Sequence, residues 1–282
     1  MDENLKKFLF HRYIDDYVAF CESTSQADEF LQELEVQLAI YKLALNHRKT
    51  SFSDLPVPTA TEWVLDIRKC TSALNLPLRP SAAVNFIDHA LNLSRFHNDP
   101  NVMKYAFRVL AGQQRHYFAD GAVLEYGLLL VDSYPAILSS LSAFIPHGVS
   151  TSGPLKIGEK LLRILDDGLL KRRTDQATWA MYFLNMMKYP IPDASIKACV
   201  TSLDCVSILV AFRYASKSQR TSILPLVERL IKAPDMHDRH RYWLLIYELY
   251  RCKYISSAGD DTGVFKILAA HNVRFMPSLI KI

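Results

Sequence analysis

From about Leu74 to its end, the chain carries apolar residues at helical intervals, and this pattern restricts the fold more than any other feature. Proline, glycine and Asn-Asp pairs interrupt the apolar stripes, as they do at helix ends. Helices of this size bury their apolar faces against neighbouring helices, which predicts a HEAT-like stack or an irregular helical bundle. The predicted helices are Ser81–Phe96, Asn101–Gln114, Leu124–Leu130, Tyr134–Phe144, Pro154–Leu170, Asp175–Met187, Ser195–Thr201, Ser218–Lys232, Arg239–Cys252 and Asp261–Ala270.

The first 70 residues contain strand-like segments instead, and residues 10–20 are the clearest of them. Asp15 and Asp16 lie between two short runs of Tyr, Ile, Val and Phe, which favour strands, and a two-residue separation is the commonest one in hairpins. We therefore predict a hairpin with an Asp-Asp tip. The pair lacks the glycine that a tight hairpin turn prefers, so either a function selects it or it is a solvated surface turn.

Two further Asp-Asp pairs show how the dipeptide occurs in other contexts. Asp166-Asp167 follows a helical run, and Asp260-Asp261 lies in a turn-like region. Neither pair has strand-forming residues on both sides, so the setting of Asp15-Asp16 is different. Two neighbouring carboxylates at a rigid tip offer hard oxygen ligands, of the kind that Mg²⁺ binds together with water or phosphate oxygens.

The hairpin is followed by a predicted helix and a predicted strand. Residues 25–28, Ser-Gln-Ala-Asp, have the spacing of a capping box, and apolar residues then recur at helical intervals as far as Tyr41. Residues 43–50 begin with apolar alternation, which indicates a strand and completes a β-β-α-β unit. Alternation returns at residues 62–67, where we predict a short edge strand that includes Trp63.

Two of these segments resemble motifs of reverse transcriptases. Residues 13–16, Tyr-Ile-Asp-Asp, resemble the Tyr-x-Asp-Asp box of that family, and the preceding Arg12 fits its usual context. In the family, a segment of the form Leu-x-Leu-Asn-x-x-Lys-Thr follows the helix after this box. The spacing also resembles the family's, since 29 residues separate Asp16 from Asn46. The positions of the second segment are matched by Leu43, Leu45, Asn46, Lys49 and Thr50.

The resemblance implies the chemistry of an RNA-directed DNA polymerase, which is a metal-dependent nucleotidyl transfer. Asp15 and Asp16 would then be catalytic metal ligands for Mg²⁺, with Mn²⁺ as a substitute. Lys49 would be a catalytic residue that neutralises or protonates the leaving pyrophosphate, unless it is a solvated lysine that closes a strand. The residues that the resemblance places near the template-primer and the incoming deoxynucleotide are Arg12, Tyr13 and Asn46.

Reverse transcriptases also need a further palm carboxylate on an earlier strand and fingers that close on the template. We expect the chain to lack both and therefore to be inactive alone. The expected fold class is α+β: the C-terminal part of a palm at residues 1–72, then an all-α region at residues 73–282. That region resembles the helical extension of bacterial defence and abortive-infection reverse transcriptases. A truncated gene, half of a split enzyme and a remnant reused for binding remain open.

Charge divides the chain at nearly the same place. Residues 1–70 contain 8 Lys/Arg and 12 Asp/Glu, a net charge of −4, whereas residues 71–282 contain 25 and 17, a net charge of +8. A basic helical region suits contact with nucleic-acid phosphates, most densely at residues 171–173 and 237–243, although ordinary helix surfaces also carry such an excess. The alternative function is therefore a non-enzymatic helical-repeat protein that binds nucleic acid or protein.

Cysteine usage and hydropathy indicate a cytoplasmic protein. The five cysteines are widely spread and include no Cys-x-x-Cys pair, so we expect reduced core thiols. No apolar run approaches the length of a membrane span, and the N-terminus does not read as a signal peptide, so no membrane partner is expected. His237 and His240 lack a further ligand at metal spacing.

Overall fold

The computed structural model divides the chain into two compact units, Met1–Thr59 and Ala60–Ile282. The described residues are mostly helical, with one two-stranded antiparallel sheet near the N-terminus. The division comes before the boundary expected at residue 72, because residues 62–72 form a helix whose contacts are to the helices that follow. The structure describes residues 5, 7–56, 61–72, 74, 78–112, 120–232, 240–257 and 263–275.

The first unit is a hairpin packed on one helix. Strands β1 (Leu9–Tyr13) and β2 (Asp16–Phe20) pair in a register that runs from Leu9 opposite Phe20 to Tyr13 opposite Asp16. Helix α1 (Thr24–Ile40) supplies Phe30 and Leu34 to a small buried cluster. One face of the sheet packs on this cluster. The residues of that face are Phe10, Tyr17 and Ala19.

The start of α1 lies earlier than the sequence suggested. The Ser23 hydroxyl accepts the backbone N–H of Gln26 at 3.2 Å, and the Gln26 side chain accepts the backbone N–H of Glu22 at 2.6 Å. The first bond satisfies an N–H group that the first helical turn leaves without a partner, and the second joins the residue before the cap to the helix. The predicted capping residue, Ser25, therefore lies inside the helix.

The strand predicted after α1 is absent from the described residues. The carbonyl of Asn46 accepts the backbone N–H groups of Lys49 at 2.8 Å and of Thr50 at 3.1 Å, which makes this segment a turn. Leu45 packs against the small buried cluster of the first unit. The β-β-α-β prediction is therefore wrong in its last element: burial of one leucine holds the segment, and no strand partner is present to extend it.

The short edge strand predicted around Trp63 is also wrong, because residues 62–72 form helix α2 (Glu62–Ser72). Trp63, Ile67, Cys70 and Leu74 recur at three- and four-residue intervals and all pack into the core of the second unit. Ile67 is fully buried there. The helical period explains this segment better than the apparent alternation, since it places Trp63, Ile67 and Cys70 on one face of α2, and Leu74 packs on the core just beyond its end.

The described part of the second unit is built from helices, as expected of a large helical region after a small β-containing part. It includes a 3₁₀ helix at Pro135–Ala143, and its helices share one large apolar core. The other helices are α2 (Glu62–Ser72), α3 (Pro80–Phe96), α4 (Asn101–Gly112), α5 (Asp120–Leu130), α6 (Ile145–Ser152), α7 (Pro154–Leu170), α8 (Thr174–Met186), α9 (Asp193–Thr201), α10 (Cys205–Tyr214), α11 (Lys217–Ile231), α12 (Trp243–Arg251) and α13 (Val264–Ala270).

Most of these helices are arranged in two layers. In one layer, α3, α5, α7, α9 and α11 each contact the next member. In the other layer, α4, the 3₁₀ helix, α8, α10 and α12 do the same. Consecutive helices such as α7 and α8 pack against each other across the layers. Each helix thereby buries its apolar face against neighbours on two sides, as a stack of helix pairs requires.

Several helices end on a residue in the left-handed region that is not glycine. Lys188 follows α8 with φ of 54°, and Leu203 follows α9 with φ of 60°. After α8, the N–H of Lys188 bonds to the carbonyl of Asn185 and the N–H of Tyr189 to that of Leu184, each at 2.9 Å. These bonds satisfy carbonyls that the last turn would otherwise leave free.

The last described segment packs along α12. The Tyr247 hydroxyl donates to the carbonyl of Val273 at 2.6 Å, and the Tyr247 ring contacts the rings of Phe265 and Phe275. Phe275 also contacts Trp243. Aromatic contacts and the hydrogen bond of Tyr247 thus help to hold residues 273–275 on the helix. In the described part of the chain, none of the helices combines the length and apolar character that a membrane span requires.

Candidate metal-binding hairpin

The predicted hairpin is confirmed, with its loop one residue earlier than expected. Ile14 and Asp15 form the two-residue loop, while Asp16 begins β2 and pairs with Tyr13. Tyr13 and Ile14 are 76% and 72% exposed, and both aspartates are exposed as well. Two adjacent carboxylates therefore stand at an open tip, one on the loop and one on the first residue of a strand.

Ile14 has φ of 59°, in the left-handed region. A β-branched residue is rare there, because its side chain crowds the backbone, and the cost is about 1 to 2 kcal/mol. Hairpin loops of this length usually place glycine or asparagine at positive φ. The sequence therefore places a strained residue directly beside the two aspartates, and strain of this kind is found where the surroundings hold a functional geometry.

Arg12 provides such a support. Its Nε–H donates to the carbonyl oxygen of Ile14 at 2.8 Å, and its guanidinium lies 5.6 Å from the centre of the Tyr17 ring. At an exposed site, a charged hydrogen bond and a cation–π contact together contribute on the order of 1 to 2 kcal/mol. That contribution is comparable with the cost of the positive φ at Ile14, so the two effects offset each other.

The register separates Arg12 from Asp16. Arg12 is opposite Tyr17, which packs towards α1, whereas Asp16 is opposite Tyr13, and neighbouring pairs of a hairpin point to opposite faces. Within the described residues, no ion pair includes Asp15 or Asp16. The guanidinium therefore supports the loop from the helix side and leaves the carboxylates available to a cation.

The other predicted site residues lie in the turn after α1. Asn46 and Lys49 are both exposed, and the Asn46 carbonyl closes the turn. The turn shares the small core with the hairpin through Leu45, and His47 lies with its Nε2 3.1 Å from a carboxylate oxygen of Glu35 of α1. The structure thus places Lys49 and Asn46 in the same unit as the hairpin, and their roles remain predictions.

The donor set suits a partial magnesium site. Mg²⁺ binds one or two carboxylates and keeps water or phosphate oxygens as its other ligands, which matches the two exposed carboxylates of Asp15 and Asp16. Among the described residues, no group of three or more His, Cys, Asp or Glu side chains could hold a metal ion. A two-metal site would therefore need a further carboxylate from outside these residues. His237 also lies outside them.

The comparison pair Asp166-Asp167 has structural partners. Asp166 accepts a hydrogen bond from the hydroxyl of Ser195 at 2.8 Å, and Asp167 forms an ion pair with Lys171 at 3.2 Å. Asp260-Asp261 falls outside the described residues. Helical packing therefore accounts for one Asp-Asp pair of this chain, whereas the residues that the structure describes supply no such partner to the pair at the hairpin tip.

The basic segment 171–173 forms the exposed turn between α7 and α8, with φ of 56° at Arg172. Of the second predicted phosphate-binding cluster, residues 237–243, the first three lie outside the described residues, while His240 and Arg241 are exposed and Tyr242 is buried. The aromatic residues of α8 pack among themselves, since the Trp179 ring lies 5.8 Å from Tyr182 and 5.7 Å from Phe183. Their helical spacing reflects packing with the core.

The sequence-based prediction missed the role of Arg12 in the loop. The signal was present, because an arginine two residues before the first loop position can reach the carbonyl of that position, and Tyr17 is its cross-strand neighbour. The positive φ at Ile14 gave no signal, since isoleucine does not favour it. No protein-family model matches the chain, and neither the curated proteins nor the solved structures give a significant match.

Proposed function

We propose that the hairpin unit is the metal-binding part of a reverse-transcriptase palm, and that the protein contributes to RNA-directed DNA synthesis. The observation that carries the proposal is the exposed tip, where Asp15 and Asp16 stand on a two-residue hairpin backed by an amphipathic helix. The Tyr-Ile-Asp-Asp sequence and the later match at Asn46 and Lys49 support the same proposal.

In this proposal Asp15 and Asp16 hold Mg²⁺, or Mn²⁺ in its place. The ion supplies charge neutralisation at the reacting phosphate and activates the primer hydroxyl when bound. The exposed ammonium of Lys49 would neutralise the leaving pyrophosphate. Tyr13 and Asn46 would contact the template-primer, and Arg12 is assigned to the loop it supports. Because the described residues supply no third carboxylate, we propose that a complete site takes one from outside them.

Primer extension on an RNA template tests the activity. We expect the chain alone to extend no primer with Mg²⁺ or Mn²⁺, because loss of one carboxylate position removes most of the acceleration, on the order of 10³-fold or more. Addition of the fingers and upstream palm of a reverse transcriptase should restore incorporation, and Asp15→Ala should abolish it. Restored incorporation that is indifferent to Asp15→Ala would reject the assignment of the hairpin.

Metal binding tests the site without requiring activity. Titration calorimetry with Mg²⁺ should detect weak binding, of millimolar order, since water supplies most of the ligands. The double variant Asp15→Asn/Asp16→Asn should lose it, whereas Asp166→Asn/Asp167→Asn, a change of the same size in a helix, should not. Equal Mg²⁺ binding by the wild type and both double variants would reject the proposed metal site.

The two-layer helical arrangement favours a second candidate, a HEAT-like repeat protein that binds nucleic acid or protein without catalysis. Helix pairs stacked in this way present extended surfaces for partners. The similarity of this region to the helical extension of defence reverse transcriptases is the basis on which we also propose a role in antiviral defence. Both candidates share the helical unit and differ in whether the hairpin tip is used.

Salt dependence separates nucleic-acid binding from protein binding by the helical unit. Residues 71–282 carry a net charge of +8, so binding of a fluorescent single-stranded RNA should weaken steeply between low and physiological salt. Lys171→Gln/Arg173→Gln should reduce both the affinity and the salt slope. An RNA affinity that does not change with salt concentration would favour a protein partner. A lack of RNA binding at low salt would do the same.

A further inference from the structure

We infer that Arg12 is a positioning residue of the metal site, which holds the hairpin loop in the conformation that fixes where Asp15 and Asp16 leave the tip. The inference rests on the proposed function for the identity of the site. Its geometric basis is independent of that proposal, since it consists of one hydrogen bond, one ring contact and one strained residue.

A continuous series of contacts connects the loop to the core of the first unit. Phe10 packs against Phe30 of α1, with ring centres 5.5 Å apart, and against Tyr17 at 6.3 Å. The guanidinium of Arg12 lies on the Tyr17 ring and donates to the Ile14 carbonyl. The side chain of Arg12 therefore joins the loop to side chains that are held by the core, and it restricts the conformation of the loop.

Only arginine can make both contacts at once. Its planar guanidinium lies over an aromatic ring while its Nε–H donates sideways to a carbonyl. The ammonium of lysine is a single point of charge, so a lysine at position 12 would keep the charge but would give up one contact to make the other. This difference allows the role of the loop bond to be separated from the role of the positive charge.

The strained residue explains why the loop needs a support. Ile14 adopts φ of 59°, which isoleucine avoids, so removal of the bond to its carbonyl lets the loop relax to other conformations. The loop residue Asp15 follows directly, and its carboxylate moves with the loop. Asp16 is held by its pairing with Tyr13. Relaxation therefore changes the separation of the two carboxylates and lowers the affinity for a shared cation.

A double-mutant cycle with Mn²⁺ as the probe tests the inference. In the full chain, electron paramagnetic resonance of free Mn²⁺ should show affinity falling about threefold to tenfold in Arg12→Lys. Glycine adopts positive φ freely, so Arg12→Lys should change the affinity by less than about twofold in an Ile14→Gly background. Arg48→Lys, an exposed arginine of the same unit, should have no effect.

Two outcomes of the cycle overturn the inference. An equal loss of Mn²⁺ affinity in the wild-type and Ile14→Gly backgrounds would mean that Arg12 does not act through the loop conformation. It would then act through its charge or through the stability of the whole unit. Unchanged affinity in Arg12→Lys would mean that the bond to Ile14 has no influence on the site. A wild-type chain that binds Mn²⁺ no better than Asp15→Asn/Asp16→Asn would reject the proposed metal site.

A second measurement tests separately whether Arg12 holds the loop, without any bound metal. The ¹³Cα chemical shift of Ile14 reports its backbone conformation, and it should move in Arg12→Lys towards the value for negative φ. Arg48→Lys should leave it in place. A shift that is identical in the wild type and in Arg12→Lys would show that the loop keeps its conformation without the guanidinium, and would overturn the inference.

Discussion

Glu248 accepts a hydrogen bond from the backbone N–H of Phe275, 27 residues away along the chain, at 3.2 Å. The carboxylate is almost fully buried on α12, and its other oxygen accepts two bonds from the guanidinium of Arg251, at 2.6 and 3.0 Å. A buried carboxylate is costly unless all its oxygens have partners. Here one charged side chain and one backbone group supply them, so Glu248 joins α12 to the last described segment.

Glu248→Ala should destabilise the second unit by about 3 to 5 kcal/mol, because it leaves Arg251 without its partner and frees the N–H of Phe275. All three tryptophans lie in the second unit, so urea unfolding followed by tryptophan fluorescence measures this loss. Glu228→Ala is the control, since Glu228 pairs with Lys232 at the surface and should cost below about 1 kcal/mol. Equal losses of unfolding free energy in the two variants would show that the burial of Glu248 adds nothing to the strength of its interactions.

Lys188→Gly should stabilise the second unit by about 1 kcal/mol, because glycine adopts the positive φ of this position without strain. The matched control is Lys197→Gly, which changes an exposed lysine inside α9 and should destabilise by about the same amount. Unfolding in urea gives both values. A loss of stability in both variants would show that Lys188 does not carry the predicted strain.

Gly158→Ala should destabilise the second unit by about 1 to 3 kcal/mol. A methyl group at this position of α7 would overlap the ring of Tyr189, which must then move. Gly112→Ala at the end of α4 is the control, because nothing lies within 4 Å of its added methyl group. Thermal unfolding should rank the variants with Gly158→Ala clearly below the wild type and Gly112→Ala close to it.

Burial raises the pKa of the Cys199 thiol to about 12. The folded state therefore holds this proton more tightly than the unfolded state, so the stabilisation is complete below about pH 9 and is lost as pH rises towards 12. The urea midpoint should fall above pH 9, with Cys199 contributing on the order of 2 kcal/mol by about pH 11. Burial raises the pKa of Tyr214 and of Tyr247 as well, which acts in the same direction.

Cys199→Ala should show a shallower fall in the alkaline range. At neutral pH, a thiol reagent should modify the exposed Cys252 rapidly and Cys199 only after unfolding, and mass spectrometry of the labelled peptides distinguishes the two. Rapid labelling of Cys199 in the folded chain would contradict its burial. The expected core position is therefore confirmed for Cys199 and is wrong for the exposed Cys252.

The sequence predicted the long helices well, because their periodicity reflects the core directly. The helix predicted at Pro154–Leu170 matches α7 in both bounds, and Ser81–Phe96 differs from α3 by one residue at its start. Helix α10 was missed, since Cys205–Tyr214 is an almost continuous apolar run without a polar face. Its residues 207–212 are buried on all sides, so no period could appear.

The hairpin itself was predictable from strand-forming residues on both sides of Asp15-Asp16. The exact loop was not, because the pairing of Tyr13 with Asp16 places isoleucine at positive φ, against its preference. The false strand at residues 43–50 had the opposite cause. Leu43 and Leu45 alternate, but the N–H of Leu43 closes the end of α1 on the carbonyl of Leu38, and only Leu45 packs on the core.

Among the described residues of the first unit, the buried apolar core consists of four residues, Leu5, Phe8, Phe30 and Leu34. A cluster of that size gives little cooperative protection, whereas the second unit has a core of many helices. In native-state hydrogen–deuterium exchange, the amides of β1, β2 and α1 should therefore open at lower free energy than those of α8 and α10. A ligand that binds only the ordered hairpin would then slow the exchange of the β1 and β2 amides more than that of the amides in the second unit.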